Sequence, residues 1–299
     1  MQKYQNMPRT IQKILFRAKC KKGKFEIQKI NDLECIVLPE INDRVLKRLK
    51  MFSNIRCWKN VCLSENLRQD AQFMHFVKDN FWNVMDGKWL FKNRLDEILE
   101  YAVEVRGGMM GNQEVSILCH HLDETIAEKI KEICVKVKVC NILTSQTKQF
   151  QKLEDEIYQT NGIVINVSKN YKKALAKSSV VLNLDFHCRD LAKCVLAKQV
   201  DIIQMKDSVL LEKKDFLGKN IVAFGIDMPE KYKDYAEKLD GFNGCILYES
   251  FIYKRTSYRN IKKELLEDDA RILYLQDSNH KIMKKPNLIL PKALDKIMI

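Results

Sequence analysis

An α/β fold built on a mainly parallel sheet is predicted for this 299-residue chain by three observations. Short apolar runs alternate with amphipathic runs along almost the whole length, the pattern of repeated strand–helix–strand units. Several of the apolar runs, such as SILC, VCNIL and SVVL, are continuous rather than alternating, which suits strands covered on both faces. The composition, 46% hydrophobic and 30% charged, supplies a core at a length sufficient for two compact units.

The elements follow in order. ILFRAKCKKGKFEIQKI (14–30) alternates Ile14, Phe16, Ala18 and Cys20 against Leu15, Arg17, Lys19 and Lys21, and reads as a hairpin turning at KKGK. ECIVLPEI (34–41) and KNVCLS (59–64) read as strands, and DRVLKRLKMF (43–52) and LRQDAQFMHFVKD (67–79) as helices. DGKWLFKNRLDEILEYAVEV (86–105) reads as one long amphipathic helix, with Leu90, Leu95, Ile98, Leu99 and Ala102 on one side. RGGMMGNQ (106–113) holds three of the ten glycines and reads as a linker.

A second alternation begins there. EVSILC (114–119), KVCNILTS (138–145), IVINVS (163–168) and SVVLNLDF (179–186) are expected strands; 123–136, 147–160 and 169–178 are expected helices. DIIQM (201–205), NIVAFGI (220–226) and GCILYES (244–250) continue the strands, and a helix near 256–269, a strand RILYL (271–275) and a tail follow. The expected organisation is an N-terminal α/β unit (1–85), a linking helix and glycine-rich linker (86–113), a parallel-sheet domain (114–250) and a C-terminal segment (251–299).

None of the ten cysteines forms a CxxC pair, and most sit inside apolar runs, as Cys35 does in ECIVL. Such usage points to a reduced, cytoplasmic protein. No apolar run approaches the roughly 20 residues of a membrane span, and the basic N-terminus lacks the apolar core of a signal peptide. The net charge is +13, and residues 1–30 carry nine Lys or Arg against one Glu. That excess suits a nucleic acid or an anionic membrane surface; lysines on the wet face of the hairpin, or a lysine-rich coding bias, produce it without any such partner.

The succession from 114 to 186 resembles the nucleotide-binding half of the shikimate dehydrogenase and glutamyl-tRNA reductase group, a Rossmann-like domain. NVMDGKWLFKNRLDEIL (83–99) resembles the Asn-x-Asp-Gly start of that group's interdomain helix. KSSVVLNLDF (177–186) is similar to its Ala-Asp-Ile-Val-Ile-Asn strand, with Asn183 in the matching place. LDGFNGCILYES (239–250) resembles its Asp-Gly-x-Gly-Met-Leu-Val-Tyr-Gln segment, with Gly241 and Gly244 as the glycines. The layout also resembles that of clostridial proteins, a likeness that implies fold and no function. Membership of the group would imply NAD(P), with Asp86 as the candidate catalytic residue.

The departures fall on the cofactor positions. The group's first strand ends in a glycine-rich turn that admits a diphosphate to a helix N-terminus. The glycine positions here are Cys119, His121 and Leu122, followed by Asp123 and Glu124, so side chains are expected to fill the phosphate space. The stretch after the second strand, LTSQTK, lacks the acid or arginine that recognises ribose; Lys148 lies a turn later. The group's Asn-Val-Thr-x-Pro-x-Lys motif is missing.

Cys119, His120, His121, Asp123 and Asn183 are the candidate binding residues of the cleft. His120, His121, His187 and Cys188 are candidate metal ligands, since both stretches fall on the carboxyl edge of the expected sheet. The alternative is that Asp123 caps the helix, the histidines are loop residues and the cysteines are packed. FLGKN (216–220) lacks the frame of a phosphate loop, and HCRDLAKC (187–194) sets a Cys beside a His without making a dyad. The expected function is a non-catalytic or cofactor-free Rossmann-like binding or regulatory protein, with no cofactor and an undefined small-molecule or protein partner. The alternatives are an NAD(P)-dependent oxidoreductase with a divergent cofactor site and a protein that binds nucleic acid or a membrane surface through the basic N-terminus.

Overall fold

The computed structural model describes residues 25–30, 33–38, 40–55, 60–170, 174–187, 190–191, 194–204, 217–239, 241–255 and 261–285. The expected KKGK turn, Cys188 and the C-terminal tail lie outside them. The chain forms two compact units, Met1–Asp86 with Pro229–Arg255, and Gly87–Met228 with Thr256–Ile299.

In the first unit, β1 (Glu26–Ile30) and β2 (Leu33–Val37) pair antiparallel. Helix α1 (Asp43–Ile55) follows, then β3 (Asn60–Val61), α2 (Glu65–Gln69), α3 (Ala71–Asp79) and β4 (Asn83–Val84), which pairs parallel with β3. The Asp70 side chain accepts the Phe73 N–H at 2.8 Å and starts α3. Leu46, Leu49, Leu63, Phe73, Val77 and Trp82 form the core, where Phe76 meets the Trp82 ring edge-on at 5.4 Å.

The second unit begins with two helices where one was expected. Gly87, at φ 82°, opens α4 (Lys88–Asn93), and Arg94, at φ −114° and ψ 20°, separates it from α5 (Leu95–Val105). The Arg94 N–H is shared between the Leu90 and Phe91 carbonyls, so the backbone donor at the break is satisfied. Leu90, Leu95, Ile98, Leu99 and Ala102 are all buried, as their spacing predicts.

Strands and helices then alternate: β5 (Glu114–Leu118), α6 (Glu124–Cys134), β6 (Val139–Leu143), α7 (Thr147–Asn161), β7 (Asn166–Ser168), β8 (Val180–Asn183), β9 (Asp201–Gln204) and β10 (Asn220–Ile226). Six strands run parallel in the order β7-β6-β5-β8-β9-β10. The chain therefore works outward from β5 on one side, returns, and continues from β8 on the other. This is the doubly wound Rossmann order, and the point of reversal lies between β5 and β8.

The sheet carries polar rows across its strands, buried except at the exposed Asn166 of the edge strand β7. Asn166 donates to Asn141 at 3.0 Å, Asn141 to Ser116 at 3.5 Å, and Ser116 meets Ser178 at 2.6 Å. Asn183 donates to Gln204 at 2.9 Å, and Gln204 to Asn220 at 2.8 Å. Each amide or hydroxyl finds its partner on the adjacent strand or the turn beside it, which offsets its burial.

Two helices of the first unit come next, α8 (Glu230–Lys238) and α9 (Gly244–Arg255). The segment GCILYES, expected as a strand, is the start of α9. Asn243 accepts the N–H groups of Cys245 and Ile246 at 3.0 and 3.3 Å, and Cys245, Tyr248 and Ile252 bury one helical stripe. Capping, together with burial on most sides of the helix, where Leu247, Glu249 and Phe251 are also covered, overrides the strand propensity of Ile, Leu and Tyr.

Helix α10 (Ile261–Glu267) then leads to β11 (Ile272–Asp277) and β12 (Ile282–Met283), which extend the sheet antiparallel beyond β10. The Tyr101 hydroxyl on α5 donates to the Leu273 carbonyl at 2.5 Å and accepts the Lys285 N–H at 3.2 Å.

Candidate functional site

The carboxyl ends of β5 and β8 flank the crevice where an open parallel sheet of this order places a ligand. Pairing continues past both strands: the Cys119 N–H bonds the Leu143 carbonyl at 3.1 Å and the Leu184 N–H bonds Leu118 at 3.0 Å. After β8 the chain folds back under the control of Asn183. Its buried side chain accepts the Phe186 N–H at 2.9 Å and donates to the Phe186 carbonyl at 3.2 Å and to Gln204. With its amide spent on the turn, Asn183 shapes the loop.

That turn aims Asp185 at the start of the β5–α6 connection. The carboxylate accepts the His120 N–H at 2.8 Å from each oxygen, the His121 N–H at 2.8 Å, and lies 3.1 Å from His121 Nδ1. The His120 ring stacks on Phe186 with centroids 4.0 Å apart and planes 11° from parallel. Its Nδ1 accepts the Ser145 N–H at 3.2 Å and lies 2.9 Å from the Ser145 hydroxyl, just beyond β6. His120 thus ties the ends of β5, β6 and β8 together.

The other candidates sort clearly. Cys119 is fully buried and its thiol donates to the His121 carbonyl at 3.2 Å. Burial first, and the Asp185 charge next, push its pKa up to about 12, so it is a packed thiol rather than a nucleophile at neutral pH. Asp123 caps α6, accepting the Ile126 N–H at 2.9 Å, and pairs with Lys92 at 3.0 Å. Glu124 occupies the first turn of α6, where its charge complements the helix dipole. His121 is exposed, as is His187, whose carbonyl accepts the N–H groups of Asp190 and Leu191. Asp86 belongs to the first unit, whereas the crevice residues belong to the second. Among the described residues, no group of three or more His, Cys, Asp or Glu side chains could hold a metal ion.

A dinucleotide fits this crevice poorly. Its diphosphate would need the free N–H groups of the first βα turn. Here the two N–H groups of His120 and His121 are taken by Asp185, and residues 119–123 include no positive φ. The ribose position beyond β6 holds Ser145, bonded to His120. The sequence alone pointed to Cys119, His121 and Leu122 as the obstruction. Cys119 instead points inward and His121 outward; the obstruction is Asp185, with His120 and Phe186 beside it. The available signal was an acid two residues past Asn183, at the mouth of the neighbouring strand.

No family model and no curated protein matches the chain. Among solved structures, glutamyl-tRNA reductase from Methanopyrus kandleri is similar at 13% identity, over 86% of this chain and 72% of that one, with a TM-score of 0.26. A likeness that slight carries no argument, and the Rossmann-like assignment rests on the strand order itself.

Proposed function

We propose that this chain is a Rossmann-like binding or regulatory protein that operates without a nicotinamide cofactor. The observation that carries the reading is the Asp185 carboxylate on the His120 and His121 N–H groups. A bound diphosphate would have to displace a carboxylate already held by those donors, and would meet its negative charge if it did not. The buried thiol of Cys119 and the capping role of Asp123 support the same reading, since each is committed to packing or to the backbone. The ligand is then a small molecule or a protein that does not need a phosphate turn.

Thermal denaturation tests this. NAD, NADP and NADPH at millimolar concentration are expected to leave the melting temperature unchanged. Binding at one hundred times Kd would stabilise by about 2.7 kcal/mol, a shift of a few degrees. Such a shift with any of the three would overturn the proposal and return the chain to the oxidoreductases.

A further inference from the structure

Among the described residues, the edge of the sheet opposite the crevice carries a row of cations that outnumber the acids beside them. The registers align the amino ends of the strands. Glu114 pairs with Val139, Val115 with Val180, Val180 with Asp201, and Asn220 with Ile202. Ile221 pairs with Asp277, whose N–H bonds the Lys281 carbonyl. Lys138, Lys219 and Lys281 each stand immediately before a strand in this row. Lys177 and Lys198 stand three residues before β8 and β9, and the Leu217 N–H on the Lys198 carbonyl holds Lys198 beside the approach to β10. Four of the five are exposed and Lys219 is half-buried.

The described acids on the same edge do not balance them. Asp201 is buried and pairs with Arg106 at 3.1 Å. Asp277 is buried and accepts the N–H groups of Asn279 and Lys281 at 2.9 and 2.8 Å. Glu114 is half-buried and lies 3.9 Å from Lys138. The Lys177, Lys198 and Lys281 ammonium groups have no ion pair among the described residues, whereas Lys219 feels the charge of the buried Asp201, which also accepts its backbone N–H at 2.8 Å. Neighbouring strands lie about 4.8 Å apart, so the row from β6 to β12 extends roughly 29 Å.

We infer that this amino edge is a docking rail for the phosphodiester backbone of a nucleic acid duplex. The charge complementarity carries it. Single positive charges, one or two strand spacings apart in a line, match a linear polyanion that is read without regard to sequence. The inference uses no residue of the crevice and none of the basic stretch 1–30.

Fluorescence anisotropy of the full chain with a 20-base-pair DNA duplex, from 50 to 200 mM salt, tests the inference. Five phosphate contacts predict a slope of log K against log salt of about −4.5. The triple variant K177Q/K198Q/K219Q should weaken binding at least tenfold at 100 mM salt and flatten the slope by about 2.7. K148Q/K152Q/K238Q, at exposed lysines away from the edge, should leave both unchanged, and circular dichroism checks that each variant is folded. An absence of binding at 50 mM salt overturns the inference. So does binding that both triples weaken equally, or that the edge triple leaves intact, which would assign it to residues 1–30. Preference for phosphatidylserine vesicles over the duplex overturns it in favour of a membrane surface.

Discussion

Asp185 and Asp96 are both carboxylates held by donors, and their substitution has different consequences. In Asp185→Asn one acceptor oxygen becomes an NH2 group facing backbone N–H donors. The variant should lose about 1–3 kcal/mol, read as a fall in the urea midpoint, because a donor is left unsatisfied in the turn. Asp96 is buried between Lys129, at 2.8 Å, and Lys136, at 3.5 Å. Burial alone would raise its pKa, but the hydrogen bond and charge of Lys129, with those of Lys136, outweigh burial and hold it below the usual carboxylate range. A folded pKa below the unfolded one stabilises the fold above the unfolded value, near pH 4, and that stabilisation fades as pH falls through the folded value. Asp96→Asn should therefore lose about 3 kcal/mol at pH 7, the low end for a broken buried pair because Lys129 keeps Glu132. The gap between variant and parent should narrow below pH 4 in melts taken across pH. A gap constant from pH 7 to pH 2 would contradict this account. Cys119, with its pKa raised to about 12, should resist iodoacetamide at pH 7.5 in the folded chain and react once urea unfolds it.

At the scale of elements, the β10–β11 seam depends on one missing methyl group. Gly225 pairs with Tyr274, and a Cβ on Gly225 would lie 2.1 Å from the Tyr274 ring. Gly225→Ala must displace that ring and should destabilise by about 1–3 kcal/mol, the range for overpacking. Joint substitution with Tyr274→Ala should recover part of the loss, which separates the clash from a general effect at the site. The seam was only partly legible in the sequence. NIVAFGI and RILYL both read as strands, but neither run indicates that the second is antiparallel, because direction follows from the connection rather than from the strand. GCILYES misled for a related reason: its residues suit a strand, and Asn243 with the neighbours of Cys245, Tyr248 and Ile252 makes it a helix. The 86–105 helix was legible in its buried face and not in its break, since the backbone of Arg94 departs from helix without any Gly or Pro at that position.

At the scale of the molecule, the chain visits the first unit twice. Residues 229–255 return to it after the parallel strands of the second unit are complete. The returning segment is tied in by the Glu65 N–H on the Gly241 carbonyl at 3.0 Å and by the Cys62 thiol, which hydrogen-bonds with Ser250. A chain ended after Met228 should leave the first unit short of α8 and α9, and the second short of β11 and β12. It should expose β10 as an unpaired edge and run as aggregates on size exclusion, with near-ultraviolet dichroism much reduced. A monomeric product with native dichroism would show that the two returns are dispensable.

The sequence by itself determined the α/β class, the run of parallel strands from 114 to 226 and the loss of glycine from the β5–α6 turn. These are local properties: apolar runs, helical periods and the presence or absence of a residue without a side chain. The strand order, the antiparallel extension and the occupant of the crevice were decided only in three dimensions. Asp185 lies 64 residues after His121, and no local pattern can say that its carboxylate meets that turn. The pairing of β5 with β8 brings the two together across that separation.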